Sequence, residues 1–235
     1  TAVSIPRSAG RSSVPGRSAR WSDGHVSTIQ RRKGNKVAAE HLTPEAALAR
    51  IADWKDLDVS YEVLGGGITN HNYVVTVSGR PDLPWGGKYV MRIPGQGTDT
   101  FIDRDREHLN HSAAADAGVT PPILYTLEPE MCTIVPFIEG ETMHPETLAG
   151  SEELLGKVVD AMRTYHEKAT FANDIDVFSM IREYMKMARD ADAPLPDDIE
   201  WMLDLGDQIE RAMQRKAPPP AACHNDLLSE NFMLE

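Results

Sequence analysis

Close to its end, the chain carries Cys223-His224-Asn225-Asp226-Leu227-Leu228-Ser229-Glu230-Asn231-Phe232. In this stretch an aspartate precedes an asparagine by five positions, in a polar loop that leads into a final apolar strand. The spacing lets the Asp226 carboxylate accept a proton from a substrate hydroxyl while the amide oxygen of Asn231 binds a metal ion. The alternative is an Asx-rich turn in which His224 only packs in the core.

A second stretch, Gly65-Gly66-Gly67-Ile68-Thr69-Asn70, lies between two runs of alternating apolar residues. This pattern predicts two strands joined by a glycine-rich turn. Glycines allow backbone amides to approach phosphate oxygens closely, and Thr69 and Asn70 can add side-chain hydrogen bonds. The stretch is neither a Walker A loop nor a dinucleotide fingerprint, and an ordinary hairpin is the alternative.

Residues 89–93 predict a third strand that ends in a cation, Arg92, which is where a kinase keeps the residue that holds the α- and β-phosphates. Residues 103–117 predict a helix that ends at Gly118, and its Glu107 is the natural ion-pair partner of Arg92. Lys88 lies on the same face of the strand and competes with Arg92 for this role. For each residue, a surface salt bridge is the alternative.

The remaining pattern predicts an α+β chain in two lobes. Thr43-Pro44-Glu45 opens a first helix, two short strands follow near 123–127 and 132–138, and the rest is mostly helical. The apolar residues of helices in 151–168, 178–189 and 197–215 are predicted to pack in a core. We therefore expect a β-rich N-lobe with one key helix over 37–135, a hinge at 136–140 and a helical C-lobe over 141–235.

Charge and composition exclude several classes of protein. The chain has 235 residues and a net charge of −12, but residues 1–36 carry +7 and residues 37–235 carry −19. So acidic a body repels nucleic acid, and no apolar run is long enough for membrane insertion. Two distant cysteines, Cys132 and Cys223, provide neither a disulfide scaffold nor a zinc ribbon, which favours a cytoplasmic location.

The first 36 residues are rich in Ser, Arg, Gly and Pro and have almost no apolar periodicity. Such a composition predicts disorder, because it cannot bury enough surface to offset the entropy of ordering. It is also typical of organelle transit peptides. Since the chain does not begin with Met, we favour a disordered segment or one that is not native to the protein over a targeting role.

Four stretches together resemble the choline/ethanolamine kinase and aminoglycoside phosphotransferase family, and the bacterial choline kinases in particular. They are GGGITNHNYVV (65–75), YVMRIPGQGTDTFIDRDREHLN (89–110), TIVPFIEGETM (133–143) and CHNDLLSENFM (223–233). The resemblance covers about 60–235 and implies a protein-kinase-like two-lobe fold that uses ATP and Mg²⁺.

The resemblance also implies roles for individual residues. Asp226 is expected to be the catalytic base, Asn231 to bind Mg²⁺, and Arg92 to replace the usual kinase lysine and pair with Glu107. The remaining nucleotide-binding residues are expected to be Gly65, Gly66, Gly67, Thr69 and Asn70 at the phosphates and the backbone of Pro136, Phe137 and Ile138 at adenine.

The chain departs from the family at its C-terminal end. The family has a second metal-binding aspartate in an I-D-[WF]-E-type strand after the catalytic loop, and then helices that supply most of the substrate pocket. Neither is found before Glu235. We therefore expect a fragment, incomplete at the C-terminus and nearly inactive as given.

The expected function is ATP-dependent phosphorylation of the hydroxyl of a small cationic alcohol, most simply choline. An aminoglycoside or ethanolamine phosphotransferase and a non-catalytic nucleotide-binding pseudokinase fragment are the alternatives. A protein Ser/Thr kinase is disfavoured, because His224-Asn225-Asp226 replaces H-R-D and no V-A-I-K occurs.

Overall fold

The computed structural model describes residues 2–6, 42–65, 69–79, 82–100 and 102–235. Strands and helices alternate in its first part, and helices dominate after residue 145. In chain order they are β1 (Val3–Ile5), α1 (Pro44–Leu48), β2 (Asp58–Leu64), β3 (Asn70–Ser78), β4 (Lys88–Pro94), α2 (Arg104–Asp116), β5 (Tyr125–Leu127), β6 (Cys132–Pro136), β7 (Glu141–Thr142), α3 (Pro145–Ala149), α4 (Glu152–Lys168), α5 (Val177–Asp190), α6 (Ile199–Gln214) and β8 (Phe232–Leu234).

The larger sheet is antiparallel throughout, with the spatial order β2-β3-β4-β6-β5. Its first two strands form the predicted hairpin around the glycine-rich turn, paired from Asp58 opposite Ser78 to Leu64 opposite Asn72. In β4 the side chains alternate between two faces, as they must in a pleated strand. Tyr89, Met91 and Ile93 are buried, whereas Lys88 and Arg92 share the other face, as predicted.

The α1 segment covers the buried face of this sheet. Thr43 caps the helix by accepting a hydrogen bond from the backbone N–H of Ala46 at 3.3 Å. Ala47, Ile51 and Trp54 then point to one side and are buried against β3, β4 and β6. This confirms the predicted helix start.

The α2 helix follows β4 and confirms the helix predicted over 103–117. Asp103 caps it by accepting a hydrogen bond from the N–H of Arg106 at 3.2 Å. Its last helical residue is Asp116, and Gly118, two positions later, has a φ of +81°, which is left-handed and favours glycine. These two local signals determine where Arg104 and Glu107 lie, one turn apart on the first part of the helix.

A smaller sheet places β8 between β1, which is parallel to it, and β7, which is antiparallel. The disorder predicted for residues 1–36 is therefore wrong for Val3–Ile5. Val3 and Ile5 alternate into a second core with Phe232, and the backbone of Ser4 donates to the Val119 carbonyl at 3.0 Å. Burial of two apolar side chains offsets the ordering of so short a strand. Residues 7–36 lie outside the described residues.

The three long helices begin and end close to the predicted positions, but their burial differs. In α4, Val158 and Tyr165 are buried in the second core, as predicted. The prediction of core packing is wrong for α5 and α6, in which no residue is buried. Amphipathic spacing specifies an apolar face, but the part of the chain that the structure describes supplies no layer to cover it.

None of the described helices is both long and apolar enough to span a bilayer. The lobe limits at 37–135, 136–140 and 141–235 stay a prediction.

Candidate active site

The glycine-rich turn is described only at its two ends. Gly65 follows β2, and Thr69 precedes β3, while Gly66, Gly67 and Ile68 lie outside the described residues. At the far end, the Thr69 carbonyl accepts a hydrogen bond from the N–H of Gly95 at 2.9 Å. The turn is thereby joined to the loop that follows β4.

Arg92 lies near the end of β4, on the face opposite the apolar core, where it lines a small cavity with residues of α2; its partners in the sheet are Asn72 of β3 and Thr133 of β6. Burial lowers the pKa of its guanidinium, and the Glu107 carboxylate opposes this effect by raising the pKa. A desolvated cation attracts an anion strongly, because little water competes for it. Arg92 is thus suited to hold a negatively charged group.

The predicted contact between Arg92 and Glu107 does not form in this structure. Glu107 pairs instead with Arg104, one turn earlier on the same helix, at 2.6 Å between Nη1 and Oε2. Residues three apart on a helix are neighbours on its surface, so this pairing needs no tertiary adjustment. Arg92 acts on Glu107 only through space, and within the described ranges it makes no ion pair of its own.

Lys88, the competing candidate, lies at the opposite end of β4, beside the predicted hinge. Its ammonium is 4.9 Å from the centroid of the Phe137 ring and 3.5 Å from a Glu139 carboxylate oxygen. The Phe137 N–H donates to the Lys88 carbonyl at 3.1 Å, and Pro136 pairs with Tyr89. Lys88 therefore contacts the predicted hinge, at the other end of β4 from Arg92.

Asp226 and Asn231 are brought together by the loop that precedes β8. The Nδ2 amide of Asn231 donates at 2.9 Å both to an Asp226 carboxylate oxygen and to the Asp226 backbone carbonyl. A φ of +62° at Asn225 turns the chain sharply before Asp226, which is exposed. The five-residue spacing thus produces an accessible carboxylate of defined orientation.

His224, two positions before Asp226, packs against two aromatic rings. Its ring centroid lies 6.4 Å from that of Tyr165 in α4 and 6.3 Å from that of Phe232 in β8. This matches the alternative in which the histidine packs in the core, and it applies to His224 alone. The histidine therefore supports the loop, while Asp226 remains available for chemistry.

The donors in this loop suit a magnesium ion in kind. Both hydrogen bonds of the Asn231 side chain are donated by Nδ2, so its carbonyl Oδ1 is available beside the Asp226 carboxylate. Mg²⁺ takes oxygen ligands and commonly completes its shell with water and substrate phosphates. Across the described residues, no group of three His, Cys, Asp or Glu side chains could hold a metal by itself.

Two residues of this region were not among those predicted from the sequence. Arg104 and His111, both on α2, line a small cavity together with Asn70, Arg92 and Glu107. Burial lowers the pKa of His111 to about 4, and its Nε2 lies 2.9 Å from the Pro121 carbonyl. The i,i+3 spacing of Arg104 and Glu107 could have indicated their ion pair. No pattern in the sequence indicated that His111 is buried.

The five-stranded sheet, the α2 helix and the carboxylate loop before β8 define a protein-kinase-like α+β protein. The chain matches the choline/ethanolamine kinase family over residues 61–235 and belongs to that family.

Individual relatives are similar at low identity. Protein LicA of Haemophilus influenzae is 27% identical over 72% of this chain and 48% of its own. A probable ethanolamine kinase A of Dictyostelium discoideum is 27% identical over 88% of this chain and 60% of its own. The chain therefore spans about half to three fifths of the length of these relatives.

Solved structures share the fold. A choline/ethanolamine kinase family protein from Mesorhizobium loti superposes with a TM-score of 0.62 at 28% identity, over 80% of this chain and 59% of its own. The choline kinase LicA from Streptococcus pneumoniae gives 0.63 at 21% identity, over 80% and 63%. The predicted family and fold class are confirmed.

Proposed function

We propose that the chain is the ATP- and Mg²⁺-dependent part of a phosphotransferase that phosphorylates the hydroxyl of a small amino alcohol, choline first and ethanolamine second. Its family membership and relatives described as choline and ethanolamine kinases support this proposal. A related LicA structure holds AMP, which supports the nucleotide. The observation that carries the proposal is the exposed Asp226 carboxylate held by Asn231.

Asp226 acts as the base. One of its carboxylate oxygens accepts the Asn231 amide, so the other oxygen is left to accept the proton of the alcohol as phosphoryl transfer begins. Such a base contributes by position, because the transfer needs little covalent help from the protein. Mg²⁺, bound through Asn231 and the nucleotide phosphates, would neutralise charge on the phosphates.

The nucleotide phosphates bind near the Arg92 end of β4, away from Lys88 and the predicted hinge. Arg92 supplies a partly buried cation there, and Thr69 and Asn70 add hydrogen-bonding groups next to it, with Gly65, Gly66 and Gly67 preceding them. The hinge backbone at Pro136, Phe137 and Ile138 receives adenine. The large negative charge of residues 37–235 favours a cationic acceptor over an anionic one. The two unpaired cysteines, far apart, are consistent with our proposal of a cytoplasmic location.

A non-catalytic nucleotide-binding module is the second candidate. It is favoured by the small number of metal ligands, since the described residues contain no cluster of three acidic, His or Cys side chains. The two candidates differ in whether Asp226 is needed for turnover.

Because we expect the 235-residue chain to be nearly inactive by itself, the test is ADP release with MgATP and either choline or ethanolamine from a version extended at its C-terminal end to the length of its relatives. Asp226→Asn keeps the shape and the Asn231 contact but removes the base, so turnover should fall about 10²–10⁴-fold while nucleotide binding is retained. Glu230→Gln removes one charge from the same loop and should leave turnover unchanged.

Nucleotide affinity, measured by isothermal titration with and without Mg²⁺, separates the candidates further. A phosphotransferase should bind ATP more tightly with Mg²⁺. A binding module would bind ATP equally well without the metal. Its slow ADP release would be the same in Asp226→Asn as in the wild type.

A further inference from the structure

Arg104 lies where three segments of the candidate phosphate site meet: the end of the glycine-rich turn, the loop after β4 and the first turn of α2. Its side chain is only 9% exposed. Four acceptors surround the guanidinium, and only one of them is charged. Nη1 donates to Asn70 Oδ1 at 3.0 Å and to Glu107 Oε2 at 2.6 Å, while Nη2 donates to the Thr69 carbonyl at 3.2 Å and to Thr98 Oγ1.

The backbone ties the same three segments together. The Thr69 carbonyl accepts from Gly95 N–H as well as from Arg104, and Thr98 Oγ1 donates to the Gly95 carbonyl at 2.7 Å. The approach is close: a Cβ added to Gly95 would lie 3.0 Å from the Thr69 carbonyl oxygen. Arg104 is therefore the side-chain centre of a network that holds the Thr69–Asn70 end of the hairpin.

The chemistry of the network requires an arginine. A guanidinium offers donors in a planar fork that can reach several acceptors at once, whereas an ammonium is a compact point charge. The contacts are not optimal for stability alone, because the Nε donor of Arg104 is buried without a partner in the part of the chain that the structure describes. A buried donor without a partner lowers the stability of the fold. The network therefore fixes the position of Thr69 and Asn70 at some cost in stability.

The network also sets the charge around Arg92. Because Arg104 holds the Glu107 carboxylate at 2.6 Å, this carboxylate does not neutralise Arg92 by direct contact. Arg92 keeps its charge beside Asn70 in the small cavity that both arginines line.

We propose that Arg104 is a positioning residue for the nucleotide phosphates: it holds Thr69 and Asn70 in place through the hydrogen bonds that its guanidinium donates to them. This inference rests on the proposed function. It predicts that loss of the guanidinium weakens the part of nucleotide binding that depends on the phosphates and spares the part that depends on the base.

The experiment is isothermal titration of the whole 235-residue chain with MgATP and, separately, with adenosine, which has the base but no phosphates. Arg104→Gln should weaken MgATP binding about tenfold or more, since several charge-assisted hydrogen bonds are lost, while adenosine binding stays within about twofold. Arg104→Lys should recover only a small part of the loss, because one ammonium cannot reach all four acceptors.

Arg106→Gln is the matched control. Arg106 is on the same helix but is 56% exposed, and its ion-pair partner among the described residues is the N-cap residue Asp103 at 3.2 Å. Its replacement should change neither affinity. Thr98→Val is a milder variant that removes one acceptor of Arg104 at nearly constant volume. It should weaken MgATP binding about threefold and keeps the test usable if Arg104→Gln does not fold.

Three results would contradict the proposal, and they differ from one another. MgATP affinity within about twofold of wild type in Arg104→Gln would exclude a positioning role. An equal loss of MgATP and adenosine affinity would indicate a general structural role. A wild-type chain that binds neither compound would overturn the proposed function itself, and the positioning role with it.

Discussion

Met91 and Ile134 pair across two strands of the larger sheet and are fully buried, whereas Ile209 and Met213 on α6 are 47% and 59% exposed. Both regions have regular apolar spacing in the sequence. The sheet is covered by the α1 segment, and the outer face of the α5–α6 pair is covered by no other described element. Regular spacing thus predicts the type of element, and burial depends on what else packs against it.

Different interactions stabilise each of the two regions internally. The sheet core is apolar, with Trp54 packed on Tyr89 at 4.9 Å between ring centroids. Ion pairs join α5 to α6: Arg182 contacts Glu210 at 2.8 Å, and Arg189 contacts Glu200 at 2.5 Å. Exposed ion pairs contribute little, so the helix pair should be the less stable region.

The largest expected effect is a difference in the free energy of unfolding between two identical Ile→Ala truncations, one in each region. Ile134→Ala leaves a cavity in a fully buried core and should lower the free energy of unfolding by about 2–5 kcal/mol. Ile209→Ala removes a half-exposed side chain from a helix in which alanine is favoured, so the change should stay within about 0.5 kcal/mol. Urea denaturation followed by circular dichroism measures both. Similar losses in the two variants would mean that the face of α6 is covered in solution.

The second test uses acid and the buried His111 of α2. The unfolded chain takes up a proton at this residue near pH 6.5, but the folded chain does so only at about 4. Because the unfolded state binds more protons between these values, the free energy of unfolding should fall as the pH falls from 6.5 to 4. The slope due to this group is at most about 1.4 kcal/mol per pH unit.

His111→Gln should remove this contribution, which appears as the difference between variant and wild-type stabilities across the same pH range. His166→Gln, on the exposed side of α4, is the control and should follow the wild type. If the wild type and His111→Gln lose stability in parallel, the histidine is not kept neutral by the fold.

The smallest expected effect is a response to salt that is confined to the helix pair. Raising NaCl from about 0.05 M to about 0.5 M screens exposed ion pairs. Amide hydrogen exchange should then become slightly faster in α5 and α6 and stay unchanged in β3 and β4. Arg182→Gln, which removes the contacts with Glu210 and Asp207, should reduce the response to salt. An equal salt-induced change in amide exchange in β3 and β4 would contradict the view that ion pairs stabilise only the helix pair.

Much of the fold could be predicted because it depends on local signals. Thr43, Asp103 and Ser151 each cap the helix that they were expected to open, and the α2 helix ends just before Gly118. Alternation in β4 correctly separated its buried face from the face of Arg92. The Asp226–Asn231 pair was equally local, since five residues of one loop bring the two side chains into contact.

The errors concern contacts between distant parts of the chain. Glu107 was assigned to Arg92, but Arg104, three positions before it, is closer and takes the carboxylate. Val3–Ile5 were expected to be disordered, because nothing in their composition shows that β8, more than two hundred residues later, has a free edge for them. Neither outcome can be worked out from spacing alone.

The sequence by itself determined most element types, the helix ends and the carboxylate loop, because each depends on residues a few positions apart. It also determined the family, because four motifs occur in the expected order along the chain. Only the tertiary structure decided that Arg104 rather than Arg92 holds Glu107, that His111 is buried and that α5 and α6 leave an apolar face uncovered. The reason is physical: pairing, desolvation and burial depend on distances between segments that the chain brings together only when it folds.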